Sequence, residues 1–151
     1  MGKWGKAFLH QDRIHDQLVS DNREATEAFN TKMLSALTLM GGLLMVLPIL
    51  AVPFSNTKAG AVPAYLLASL LYFALFLLYR LPVMKKYTLL GLYLSFSVFF
   101  LLAIYLSVIH SPDTRATILL GAFCIMPLGF IDRPVRMNLF AATWLAVHTI
   151  L

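Results

Sequence analysis

Hydrophobic positions in this chain come in long unbroken blocks, neither alternating nor confined to one helical face. Five runs stand out, at 33–54, 62–79, 87–109, 116–131 and 137–151, and none of them contains Asp, Glu, Lys or Arg. A helix needs about 20 apolar residues to cross a hydrocarbon core of roughly 30 Å. In lipid the backbone must satisfy its own hydrogen bonds, so a lone strand is excluded, and a barrel would require alternating polarity. Each run is therefore expected to be a helix. The links between them are short: 55–60, 80–86, 110–115 and 132–136, three of which contain proline (Pro82, Pro112, Pro134). Short links imply antiparallel neighbours, and proline suits a helix start.

The predicted fold is all-α: a polytopic helical membrane protein with five apolar spans, the fifth truncated, after an amphipathic N-terminal helix in the cytoplasm. The fourth run is short, but Arg115 can snorkel and the bilayer can thin. The fifth stops mid-run at Thr149-Ile150-Leu151 after 15 residues, only about 22 Å of helix. The chain thus reads as a fragment of something longer.

Charge places a boundary near Lys32. Residues 1–32 hold five basic side chains (Lys3, Lys6, Arg13, Arg23, Lys32) and five acidic ones (Asp12, Asp16, Asp21, Glu24, Glu27). This arm carries an interrupted helical stripe of Trp4, Phe8, Ile14, Leu18, Ala25 and Phe29, spaced to share one face. Either the stripe lies on the membrane surface or it pairs with a second copy or a partner domain. Asp21-Asn22-Arg23-Glu24 resembles a capping box, from which a fresh helix would run into the first span. Arg23 and Glu27 form an i,i+4 pair.

Composition agrees. The chain is 60% apolar and 13% charged, with mean hydropathy +0.78, against roughly 45–50% and about 25% for soluble domains. Disorder and a disulfide scaffold are excluded, the latter by a lone cysteine, Cys124. The net charge of +5 does not indicate nucleic acid, because the basic residues flank apolar runs and form no stripe for phosphates.

Those flanks set the orientation. The arm and the links at 80–86 and 132–136 carry ten of the twelve Lys and Arg; the other two links carry only Lys58 and Arg115. The positive-inside rule puts the N-terminus in the cytoplasm of a multi-pass protein of the inner (plasma) membrane. The first apolar run starts too late for a signal peptide and lacks a cleavage site.

Little in the chain suggests chemistry. Ionisable groups within a membrane are costly and usually functional, yet the spans contain only His148. His10 and His15 do not face each other on a helix. His110 and Asp113 share a link, too few ligands for a closed metal site. Pro48, Pro53 and Pro127 can kink spans and line a small cavity, while Gly121, Ala122 and Gly129 permit close helix approach. The expectation is no catalytic, metal or cofactor site. The outer ends, Asn56, Lys58, His110, Asp113 and Arg115, are the candidate sensing residues. Asp132, Arg133 and Arg136 form a candidate cytoplasmic turn, in which Asp132 can cap the fifth helix and Pro134 fits its first turn.

The segment Ile109-His110-Ser111-Pro112-Asp113 and the run from Met126 through Phe130-Ile131-Asp132-Arg133-Pro134-Val135-Arg136 to Met137 resemble the membrane region of bacterial diguanylate cyclases of the Firmicutes type. In that family a multi-span part precedes a cytoplasmic GGDEF domain that makes cyclic di-GMP. The GGDEF signature does not occur here, so no catalytic residue carries over and this chain is not expected to be an enzyme. The resemblance implies a sensor or anchor module that transmits a stimulus to a cytoplasmic output domain. The alternative is a stand-alone membrane subunit or a transporter fragment. The expected partners are the lipid bilayer and, through the arm, a second copy in a homodimer. The residues do not specify the stimulus.

Overall fold

The computed structural model describes residues 14, 17–54, 62–110 and 129–150, with side chains omitted at 52 and 107–110. Among these residues the chain is helical, with no strand. Four helices carry the fold: α1 (Arg23–Ala51), α2 (Val62–Leu78), α3 (Thr88–His110) and α4 (Pro134–Ile150). Short 3₁₀ turns at Val52–Phe54 and Pro82–Tyr87 follow α1 and precede α3. Two stretches are long and apolar enough to cross a membrane by length and composition, Arg23–Ala51 and Pro82–Leu106; Val62–Leu78 is apolar but shorter.

Observed boundaries follow polarity closely at α2 and α3. At α1 the helix begins well before the apolar run. Residues 17–21 are already helical and Asn22 is a turn between them and α1. Polar arm and apolar run thus share one rod of 29 residues, about 43 Å long. It accommodates Pro48 in its interior and ends at Ala51, where the chain passes into the 3₁₀ turn that contains Pro53. The fourth run ends sooner than expected: Gly129 is helical, but Phe130 and Ile131 have left the helix. Ile131's backbone groups are instead taken by a side chain of α1, as described below.

α1 packs on α2 at close range. A β-carbon on Gly41 would lie 3.0 Å from the Tyr72 ring, and one on Gly42 3.1 Å from Phe73. Glycine at both places lets the aromatic rings rest on the α1 backbone. Ser69 Oγ donates to the Gly42 carbonyl at 3.1 Å. Tyr72 reaches the other way, donating to the Ser95 carbonyl of α3 at 2.9 Å. The core behind these contacts is Leu34, Leu92, Phe96, Phe100 and Phe130. α4 joins through rings: Phe100 stacks on Trp144 at 5.7 Å, and Tyr93 meets Phe140 edge-on at 4.9 Å.

Polarity is arranged with the apolar side out. Large apolar residues such as Leu43, Leu47, Leu50, Leu67, Leu70 and Leu101 are exposed, while Thr38, Ser69 and Ser95 are buried. The buried hydroxyls are satisfied: Thr38 donates to the Leu34 carbonyl and Ser95 to that of Gly91.

Candidate functional site

The described charges gather at one end of the bundle. α1 begins there, α2 ends there, and α3 and α4 start there. Each described Lys, Arg, Asp and Glu lies in the first turns of α1, in residues 80–86 or in residues 132–136, apart from Asp21 just before α1. At this end three polar residues tie the helices together.

Asn30 sits on α1, one turn before Leu34, and is buried. Its Nδ2 donates to the Ile131 carbonyl, and its Oδ1 accepts from the Ile131 N–H, both at 2.8 Å. A side-chain amide presents donor and acceptor side by side, so it can replace the backbone partner that Ile131 lacks outside a helix. The contact joins positions 101 residues apart.

The next residue, Asp132, is also buried. Tyr93, on α3, donates to its Oδ2 at 2.6 Å, and Arg136 Nη1 lies 3.6 Å from Oδ1. Two partners on different elements compensate the desolvated carboxylate. Phe130 is buried against Tyr93 and Phe96 at ring separations of 5.0 and 5.6 Å. Gly129 is needed for this fit, since a β-carbon there would come within 2.7 Å of Phe96. The turn at 129–133 is therefore seated between α1 and α3.

Of the residues singled out from sequence, Asp132 and Arg136 come together as an ion pair, and Arg133 lines, beside Asp132, a groove bordered by Lys32, Lys85 and Lys86. α4 does start at Pro134, and the Arg133 carbonyl accepts the first helical bonds, from the N–H groups of Arg136 and Met137. Asn56, Lys58, Asp113 and Arg115 lie outside the described residues, and only the backbone of His110 is described. Cys124 and Pro127 also lie outside them. Asn30 and Tyr93 were not legible as site residues. Each is a single polar group beside or inside an apolar run, and no local pattern links either to residues far along the chain.

Two other features complete the picture. Glu27 accepts from Arg23 Nε at 2.7 Å, raising the guanidinium's pKa above its ordinary value by hydrogen bond and charge. Both side chains are largely exposed, so the pair adds little stability. Toward the middle of the bundle, Leu37, Met40, Gly41, Leu44, Tyr72 and Phe96 line most of an apolar cavity of about 230 Å³. No group of three metal-ligating side chains occurs among the described residues. Comparison with protein-family models, curated proteins and solved structures returns no match.

Proposed function

We propose that this chain is a multi-pass membrane module of the sensor-and-anchor kind, with its charged end in the cytoplasm. The observation that carries the reading is the gathering of the described charges at one end, above a belt whose outward side chains are apolar. In its most apolar 18-residue stretch, α1 is only 17% buried, whereas the core helix of a soluble protein is mostly covered. From Met33 to Ala51 the helix covers about 28 Å, close to a hydrocarbon core. The ten preceding residues, Arg23 to Lys32, would then leave the hydrocarbon, with Lys32 at headgroup level and Arg23 in the water above it.

The sensing part of the proposal rests on the ties at the charged end. Asn30 and Tyr93 connect α1 and α3 to the turn that starts α4. A stimulus that shifts one helix along another would reach both the arm and α4 through these bonds. To do so, it must bind the two arrangements with different affinity. The resembled diguanylate cyclases suggest a cytoplasmic output domain as the receiver. The apolar cavity favours a second reading, a membrane subunit that accommodates a small apolar molecule.

Orientation is the decisive test. Single cysteines are placed at Lys85 and Lys58 in a Cys124→Ser background and exposed to an impermeant thiol reagent. Lys85→Cys is expected to react only after cells are permeabilised, and Lys58→Cys in intact cells. The reverse pattern overturns the proposed topology.

A further inference from the structure

The charged end also carries a groove that the ties above do not fill. It measures about 960 Å³ and lies between the first turns of α1, the Lys85-Lys86 turn and residues 131–133. Five cations line it, Arg23, Lys32, Lys85, Lys86 and Arg133, against three carboxylates. Two of those carboxylates are already engaged, Glu27 by Arg23 and Asp132 by Tyr93 and Arg136. Glu24 remains. Lys32 and Lys85 have no carboxylate partner among the described residues, and Lys86 lies 4.7 Å from the centre of the Tyr87 ring. With Arg23 engaged by Glu27, Lys32 of α1 and Lys85 and Lys86 of the Pro82–Tyr87 turn leave a positive surplus over Glu24 in one concavity.

The rim adds a second indication. Leu81 and Val83, just before the lysine pair, are 54% and 70% exposed. Exposed aliphatic side chains next to lysines suit a depth where acyl chains meet headgroups. An anionic headgroup brings uncompensated negative charge to this surplus. A choline headgroup brings its own cation and gains less.

We infer that this groove seats the phosphate of an anionic phospholipid headgroup, with Lys32 and Lys85 as its principal cations. The inference rests on the membrane reading above. It is tested on the full chain purified in detergent, by native mass spectrometry with phosphatidylglycerol and phosphatidylcholine of matched acyl chains. Phosphatidylglycerol is expected to be retained in preference. Lys32→Ala and Lys85→Ala should each weaken its binding about fivefold, and Lys→Arg at either position should restore it. Arg80→Gln is the control: this guanidinium lies over the Phe76 ring at 4.6 Å, outside the groove lining, and its loss should leave retention unchanged. Equal retention of the two lipids, or a loss in Arg80→Gln as large as in Lys85→Ala, overturns the site. Displacement of phosphatidylglycerol by equimolar inorganic phosphate would also overturn it, in favour of a soluble phosphate. Alkaline carbonate extraction separates the two levels. Release from membranes overturns the membrane reading and the lipid site together. Retention without headgroup preference overturns the site alone.

Discussion

The α1–α2 and α3–α4 contacts are built from equally apolar sequence and hold in different ways. In the first, two glycines let Tyr72 and Phe73 press on a bare backbone, and a serine hydroxyl reaches across to a main-chain carbonyl. In the second, the helices stand further apart and the space is bridged by Phe100, Phe140, Tyr93 and Trp144. The close contact depends on what is missing from the side chains, the wide one on what is present. An added methyl group threatens the former and a removed ring threatens the latter.

The comparison breaks most sharply at Gly42. Gly42→Leu is expected to destabilise the bundle by about 3 kcal/mol, because a branched side chain at this buried position must push the Phe73 ring off the α1 backbone. Denaturant titration of helicity would measure it, and an unchanged midpoint would remove the argument for backbone contact. Asn30→Leu should cost about 2 kcal/mol, since it strands both backbone groups of Ile131. Its effect should fall on α4 first. Quencher access to Trp144 should rise at denaturant concentrations where α1 and α2 remain helical; simultaneous loss of all helices would show that the tie does not act locally. The smallest effect is expected for Trp144→Leu, about 1 kcal/mol, the scale of one aromatic stack on a half-buried residue. A larger loss than for Gly42→Leu would invert the comparison.

How much of this was legible in the sequence differs by region. The limits of α2 and α3 were readable within about a residue, because the chain's polarity changes abruptly at Arg80 and at Lys86. Arm and first run forming one rod was foreshadowed by the Asp21–Glu24 motif, although residues 17–21 are themselves already helical. The fourth run was expected to stay helical through Ile131 because Phe130 and Ile131 are both apolar, whereas the helix stops at Gly129. The Ile131 backbone leaves the helix for a partner on α1, and hydropathy carries no information about such partners. The same limit hid Asn30 and Tyr93. Asp132 was marked as a helix cap from its place before Pro134. Its observed bonds to Tyr93 and Arg136 depend on how α3 and α4 meet, which local sequence does not encode.

Asn30 holds main-chain atoms, and this has a consequence for variation. The clasp cannot tell which side chain follows Phe130, so position 131 can drift among residues of any character while both bonds persist. Proline is the exception: with no N–H it would forfeit one of the two. Constancy is thus demanded of the asparagine and tolerance granted to the residue it grips, so a survey of natural variants should find change concentrated on one side of this pair.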